Sequence, residues 1–205
     1  SSMKARSRSR TSRRSARASS RSSPRSSTRA STIRARPSRR SSGAARPRRG
    51  DVRGAAVPRT SVALLEKAPG LRSTTLRSLL TRSLRILGFP RASVSLVLTG
   101  DEHLRVLNRD FLEIDRPTDV LSFPLAEPGD LEDRDRDLFL GEIYISVETA
   151  KAQAREARRP LAREIAHLVV HGLLHLLGHD HAAPEERVRM RAAESRLLRE
   201  LKPML

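Results

Sequence analysis

Cysteine is absent from the 205-residue chain, which excludes disulfides, thiolate-held zinc and iron–sulfur clusters. Aromatic side chains are scarce, with four Phe, one Tyr and no Trp. That argues against the stacking platforms that hold single strands without sequence preference. Long apolar runs are missing too. The most apolar stretch, residues 165–178, carries three histidines and falls short of the about 20 residues a bilayer span needs. The chain is expected to be soluble, with no membrane partner.

Acidic residues are missing from one region only. Residues 1–60 hold 19 of the 41 Lys and Arg and a single acid, Asp51, whereas residues 61–205 hold 22 basic and 22 acidic residues. The net charge of +18 therefore describes a tail, and the remainder is neutral. Residues 1–60 are rich in Arg and Ser and poor in apolar side chains, so they cannot bury enough surface to offset their ordering entropy and are expected to be disordered. As a coil they would reach on the order of 45 Å. Three readings of the tail stand open: a basic arm adding phosphate affinity, an organelle transit peptide, or sequence upstream of the true start. The first and last leave the protein cytoplasmic; the second would make it organellar.

Residues 61–205 suffice for one domain with a sizeable core. Leu76, Leu79, Leu80, Leu84 and Leu87 recur at helical spacing up to Gly88. Residues 94–99 alternate as a strand does, and Asp101 is placed to cap a short helix through Leu107. A β-prone run lies within residues 117–123, a charged loop at 126–137, and the strongest strand at 138–146. Helices are expected at 147–158, at 160–177 with Pro160 at its start, and at 184–201. The interleaving gives a single compact α+β domain.

Five of the six histidines fall within 15 residues: His167, His171, His175, His179 and His181. On a helix, His171 and His175 lie on one face a turn apart. Gly178 can end that helix in a left-handed conformation, and the chain can return through Asp180 to deliver His181. Three neutral imidazoles with an open fourth position describe a catalytic zinc site. His167 and His179 are either further ligands or residues beside the site. The spacing also matches zincin peptidases, whose general base is a Glu after the first His. Here that position is Gly172, which has no side chain to activate water, so peptidase activity is disfavoured.

The run His171-Gly-Leu-Leu-His-Leu-Leu-Gly-His-Asp-His181 resembles the signature of the YbeY family, bacterial rRNA maturation factors regarded as metal-dependent endoribonucleases. Leu107-Asn108, the run Asp-Arg-Pro-Thr-Asp-Val-Leu-Ser-Phe-Pro at 115–124, Leu-Gly-Glu-Ile-Tyr-Ile-Ser at 140–146, and Met190 with Glu194 agree with it in order. The resemblance covers roughly residues 75–200 and implies a mixed sheet of about four strands packed with helices. It also implies one zinc ion on His171, His175 and His181, and single-strand endoribonuclease work on the 3′ end of small-subunit rRNA and in ribosome quality control. Expected partners are the small subunit and its rRNA, one of its ribosomal proteins and the GTPase Era. Three positions depart from the family pattern. Leu112 stands where an Arg is usual, Glu142 where an Asp is usual, and His179 where a Tyr is usual.

Catalytic candidates beyond the ligands are His179, Glu142 and a second metal-bound water for proton transfer, and Arg116 or the nearby Arg109 for the phosphate. Glu142 is otherwise an edge-strand residue facing water, and Asp119 either orients a ligating histidine or caps a turn. Asn108 is read as a helix-terminal residue, with base reading as its other role. Arg155, Arg158, Arg159 and Arg163 either meet phosphates or form a solvated face. Two other functions fit the same residues: a ribosome-assembly factor with a structural metal, and a metal-dependent hydrolase of another substrate.

Overall fold

The structure is a computed structural model that describes residues 31–32, 59–181 and 183–201. The expected disordered tail therefore falls almost entirely outside the described residues. The elements in chain order are β1 (Ser31–Thr32), β2 (Ser61–Leu64), α1 (Ser73–Ile86), β3 (Ala92–Thr99), α2 (Asp101–Leu112), β4 (Val120–Pro124), β5 (Leu138–Ser146), α3 (Val147–Glu156), α4 (Leu161–Leu176) and α5 (Pro184–Leu201). A 3-10 turn at Pro128–Leu131 interrupts the charged loop.

The strands form one mixed sheet in the order β1-β4-β5-β3-β2. β2 and β5 flank β3 in parallel, β4 runs antiparallel to β5, and the two-residue β1 pairs in parallel with β4. Four strands thus make the body of the sheet, as the family resemblance implies, and β1 extends its β4 edge. Strand β2 is not legible in the sequence because four residues bordering the basic tail carry little periodic signal.

On one face of the sheet Val94, Leu96, Leu98, Val120, Ile143 and Ile145 meet the leucine stripe of α1 and the apolar face of α4. α5 closes this layer through Met190, Leu197 and Leu201. Leu104 of α2 packs with Leu121 and Phe123 on the opposite face. Two details differ from expectation. α2 runs to Leu112, a turn further than the sequence pattern indicated, and its cap position is Gly100. The Asp101 carboxylate serves the next helix: it accepts from Ser146 Oγ and, at 2.7 Å, from Thr149 Oγ1 at the start of α3. Glu148 reciprocates by accepting from the Asp101 N–H at 2.6 Å. Each helix start thus receives a carboxylate where its free N–H groups and dipole favour one.

Strand β5 contains a bulge. Residues Ser93 and Val94 pair with Phe139 and Gly141, skipping Leu140. Gly141 has φ +139°, and a Cβ there would lie 2.1 Å from the Phe123 carbonyl oxygen, so only glycine fits. The bulge shifts the side-chain phase of the strand by one residue.

Candidate metal centre

The histidine helix α4 is held against the sheet at its second turn from the C-terminus. Gly172 is buried there, and a Cβ on it would lie 2.9 Å from Ile143 Cγ2 and 3.0 Å from Ser122 Oγ. Ser122 donates to the Gly172 carbonyl at 3.3 Å. The absent side chain therefore has a packing reason. Any side chain at this position would start pressed against Ile143 of β5 and Ser122 of β4.

α4 ends as the sequence predicts. Gly178 adopts φ +84°, its N–H donates to His175 O at 3.0 Å, and the His179 N–H donates to Leu174 O at 3.0 Å. This is the Schellman arrangement, in which a left-handed residue lets the chain reverse while satisfying the last carbonyls. Beyond it the Asp180 carboxylate accepts from the His181 N–H at 2.6 Å, fixing the returning strand of the turn. The His181 ring centroid then lies 5.7 Å from that of His171 and 5.0 Å from that of His175. Ligand nitrogens of the three histidines all fall within 4.8 Å of one another.

Acceptors outside the triad set the tautomers. His175 Nδ1 lies 2.9 Å from the main-chain oxygen of His179, and His171 Nδ1 lies 2.5 Å from Glu194 Oε1 on α5. Both Nδ1 atoms thus have acceptors that favour a proton there, which leaves Nε2 as the ligand atom of each neutral imidazole. Those two Nε2 atoms face each other at 3.0 Å. Two lone pairs at that separation repel unless a cation or a shared proton lies between them. His175 is 2 % exposed, and burial, then the charges on His171 and His181, push its pKa down to about 3, so its imidazole stays neutral and able to ligate. The donor set fits a divalent ion bound by neutral imidazoles. Glu194 matches the usual carboxylate partner of a ligating histidine. Burial pushes its carboxyl up, but the hydrogen bond from His171 and the neighbouring imidazole charges hold it below the ordinary range.

Other candidates fare differently. His179 lies outside the three-histidine set; its main-chain carbonyl, not foreseen from sequence, orients His175. The bulge at Gly141 turns Ile143 towards α4, so Glu142 projects to the opposite face of the sheet, where Tyr144 donates to it at 3.0 Å. Asp119 proves to be a cap: it accepts from the Val120 N–H at 2.9 Å and from Gln153 of α3 at 2.9 Å. Asn108 donates to the Arg116 carbonyl at 2.8 Å and so pins the loop before β4, leaving the Arg116 side chain exposed on that loop. Leu112 packs beside Leu104, Leu121 and Phe123 as part of the apolar layer under α2. Arg159 is committed to the buried Glu164, while Arg155, Arg158 and Arg163 are exposed. His167 stands one turn before His171 and outside the set; burial lowers its pKa.

Among these partners Glu194 had a legible signal. It occupies the apolar stripe of α5 with Met190, Leu197 and Leu201, and an acid on such a stripe needs a buried partner.

Comparison with known proteins assigns the family. Residues 70–202 match the family model described as endoribonuclease YbeY. A Heliobacterium modesticaldum protein named endoribonuclease YbeY is 45% identical over 144 residues, covering 65% of this chain and 87% of that protein. A protein of the same name from an Anaeromyxobacter species is 42% identical over 145 residues, covering 68% of this chain and 71% of that one. A solution structure of a Thermotoga maritima protein is similar at 28% identity and a TM-score of 0.45, covering 69% of this chain and 92% of that one. With a family match that spans β3 to β5, α4 and the histidine turn, the chain belongs to the YbeY family of endoribonucleases.

Proposed function

We propose that this endoribonuclease is a zinc enzyme that hydrolyses single-stranded RNA during maturation of the 3′ end of small-subunit rRNA and in ribosome quality control. The observation that carries the metal assignment is the convergence of the His171, His175 and His181 ligand nitrogens within 4.8 Å of one another, with the Nε2 atoms of His171 and His175 3.0 Å apart. His171, His175 and His181 would hold one zinc ion, which when bound supplies a Lewis acid and an acidified water to phosphodiester hydrolysis. The chain's own contribution is orientation. Glu194 fixes the His171 ring and the His179 carbonyl fixes that of His175. We assign Arg116 to the scissile phosphate, where a guanidinium offsets developing charge, and the His179 imidazole to proton transfer. The RNA setting, the small subunit with one of its ribosomal proteins, the GTPase Era and a cytoplasmic location are supported by the family resemblance. No helix among the described residues is long and apolar enough to cross a membrane.

The test uses His175→Ala together with the more accessible His181→Ala. Metal content by mass spectrometry should fall from one zinc per folded chain to well below it. Mapping of rRNA 3′ ends in depleted cells carrying either variant should show unprocessed precursor. Normal processing by a folded, metal-free variant would give the metal a structural task and end the hydrolase mechanism.

A further inference from the structure

Glu142 is the one charged side chain in the described strands of the sheet. The bulge puts it on the face away from α4, where, among the described residues, α2 is the helix that packs. On that face its rung of the sheet runs Phe123, Glu142, Ser95, Ser61. Exposure rises along the rung: Phe123 is buried, Glu142 and Ser95 are half-buried, and Ser61 is exposed. Ser61 Oγ donates to Ser95 Oγ at 3.2 Å. A carboxylate and two hydroxyls thus lie partly open beside α2.

Four rings border the rung. His103 in the first turn of α2 meets Tyr144 at a centroid distance of 5.9 Å, and Tyr144 meets Phe123 at 5.6 Å. Phe123 in turn meets Phe111, in the last turn of α2, at 5.0 Å. Core packing accounts for Phe123, which is buried with Leu104 and Leu121. It does not account for Phe111, which is 56 % exposed, or for the exposed His103. Tyr144 donates to Glu142 Oε2 at 3.0 Å. Burial, then that bond, raises the phenol above its ordinary pKa, so it stays a donor. One such bond leaves the carboxylate with further lone pairs to offer.

A phosphate has no partner in this sheet, since the described strands carry no Lys or Arg, and Glu142 repels an anion. An unpaired base has two kinds of partner. Its π face stacks on aromatic rings, and its Watson–Crick edge offers N–H donors to a carboxylate. Guanine sets two donors, N1–H and N2–H, side by side, the pattern that the two oxygens of one carboxylate accept together. Scarce aromatics argue against an unselective platform; three of the chain's five gather around one carboxylate, which suits a selective one.

We propose that the open rung at Glu142 binds an unpaired guanine of the RNA, stacked among Phe111, Tyr144 and His103 and read by the carboxylate. This rests on the RNA reading of the metal centre for the identity of the ligand. The site itself is separate from the metal. Gly172 of α4 sits against Ile143 and Ser122, the rung next to Glu142 and Phe123, and successive rungs face opposite ways. Binding here selects the strand without touching the metal ligands.

Tyr144 is the only tyrosine of the chain, so 3-fluorotyrosine gives the full-length zinc protein a single fluorine NMR signal at the site. In salt high enough to weaken phosphate contacts, that signal should shift saturably with a short uridine-rich single strand carrying one guanine. Affinity should fall about tenfold with uridine in place of the guanine, and by less with inosine, which lacks the N2 amine. Glu142→Gln should level guanine with uridine, and Phe111→Ala should weaken both strands about fivefold, with zinc content unchanged in each. A signal that stays fixed while RNA is bound, or that answers guanine and uridine alike, would overturn the proposal. So would a signal that ignores RNA and answers a basic peptide, which would make this face a protein interface. If guanine is selected here but no RNA is cleaved, the nuclease reading fails and the base site stands.

Discussion

Glu194 stands where the periodicity of α5 calls for a hydrophobe, between Met190 and Leu197 on the stripe that faces α4. Its single clear task is to accept from His171 Nδ1, so its loss should be felt in the metal and little in the core. Glu194→Ala should weaken zinc binding by about 10- to 100-fold, read by competition against a chelator of known affinity. Glu194→Gln, which keeps an acceptor, should fall between alanine and wild type; equal affinity in all three would remove the orienting role. The histidines also set an acid limit on the metal-free protein. Burial first, then neighbouring imidazole charge, holds His175 near 3 against 6.5 in the unfolded chain. His167 and His179 are lowered by burial in the same direction. The unfolded state therefore binds more protons below 6.5, and stability is lost as pH falls from there towards 3. The limiting slope for one such histidine is ~1.4 kcal/mol per pH unit. The salt-bridged Asp115 and Asp137 and the His171-bound Glu194 are lowered as well, so they add acid sensitivity only below the ordinary carboxylate range. Urea unfolding of chelator-treated protein should show a clear loss between about pH 7 and pH 5. A flat profile there would mean the imidazoles are not buried as described.

At the scale of elements, what was legible in the sequence depended on whether a signal was local. The α1 leucines, the β3 alternation and the Gly178 reversal are properties of a few neighbouring residues, and each lies where its pattern puts it. Gly141 and Gly172 are different, because their reasons sit on other strands. A regular β5 that buries Leu138 and Leu140 would aim Glu142 at α4, which is the phase a site role for Glu142 needs. The bulge reverses that phase and hands the inward positions to Ile143 and Ile145. Gly172 shows in the sequence only as a missing general base; the structure adds that even a Cβ would press on Ile143 and Ser122. Gly172→Ala should cost about 1–3 kcal/mol through overpacking against Ile143 and Ser122. Gly178→Ala, with nothing within 4 Å of its added Cβ, should cost only the ~1–2 kcal/mol of a left-handed backbone. Zinc affinity should drop with the first, because the clash lies beside His171. A Gly172→Ala protein as stable as wild type in urea would show that the helix and sheet are not in close approach.

The whole molecule separates charge from chemistry. The neutral part contains the fold and the three imidazoles, and the tail contains the excess of cations. A pI near 11.7 would suggest nucleic acid for any sequence, yet it says nothing of a reaction; the reaction is legible only in the histidine turn. The domain's RNA affinity and its cleavage step should therefore come apart. Removing residues 1–58 leaves β2 and everything after it, so metal content and the single-turnover cleavage rate at saturating RNA should be unchanged. Binding should weaken, and the slope of log K against log salt should become shallower by about 0.7 for each single-strand phosphate that the tail no longer neutralises. Titrations between about 50 and 200 mM salt, with cleavage measured on the same RNA, separate the two quantities. If truncation lowers the saturated rate along with the affinity, the tail takes part in the chemistry, and the division drawn from the charge distribution is wrong.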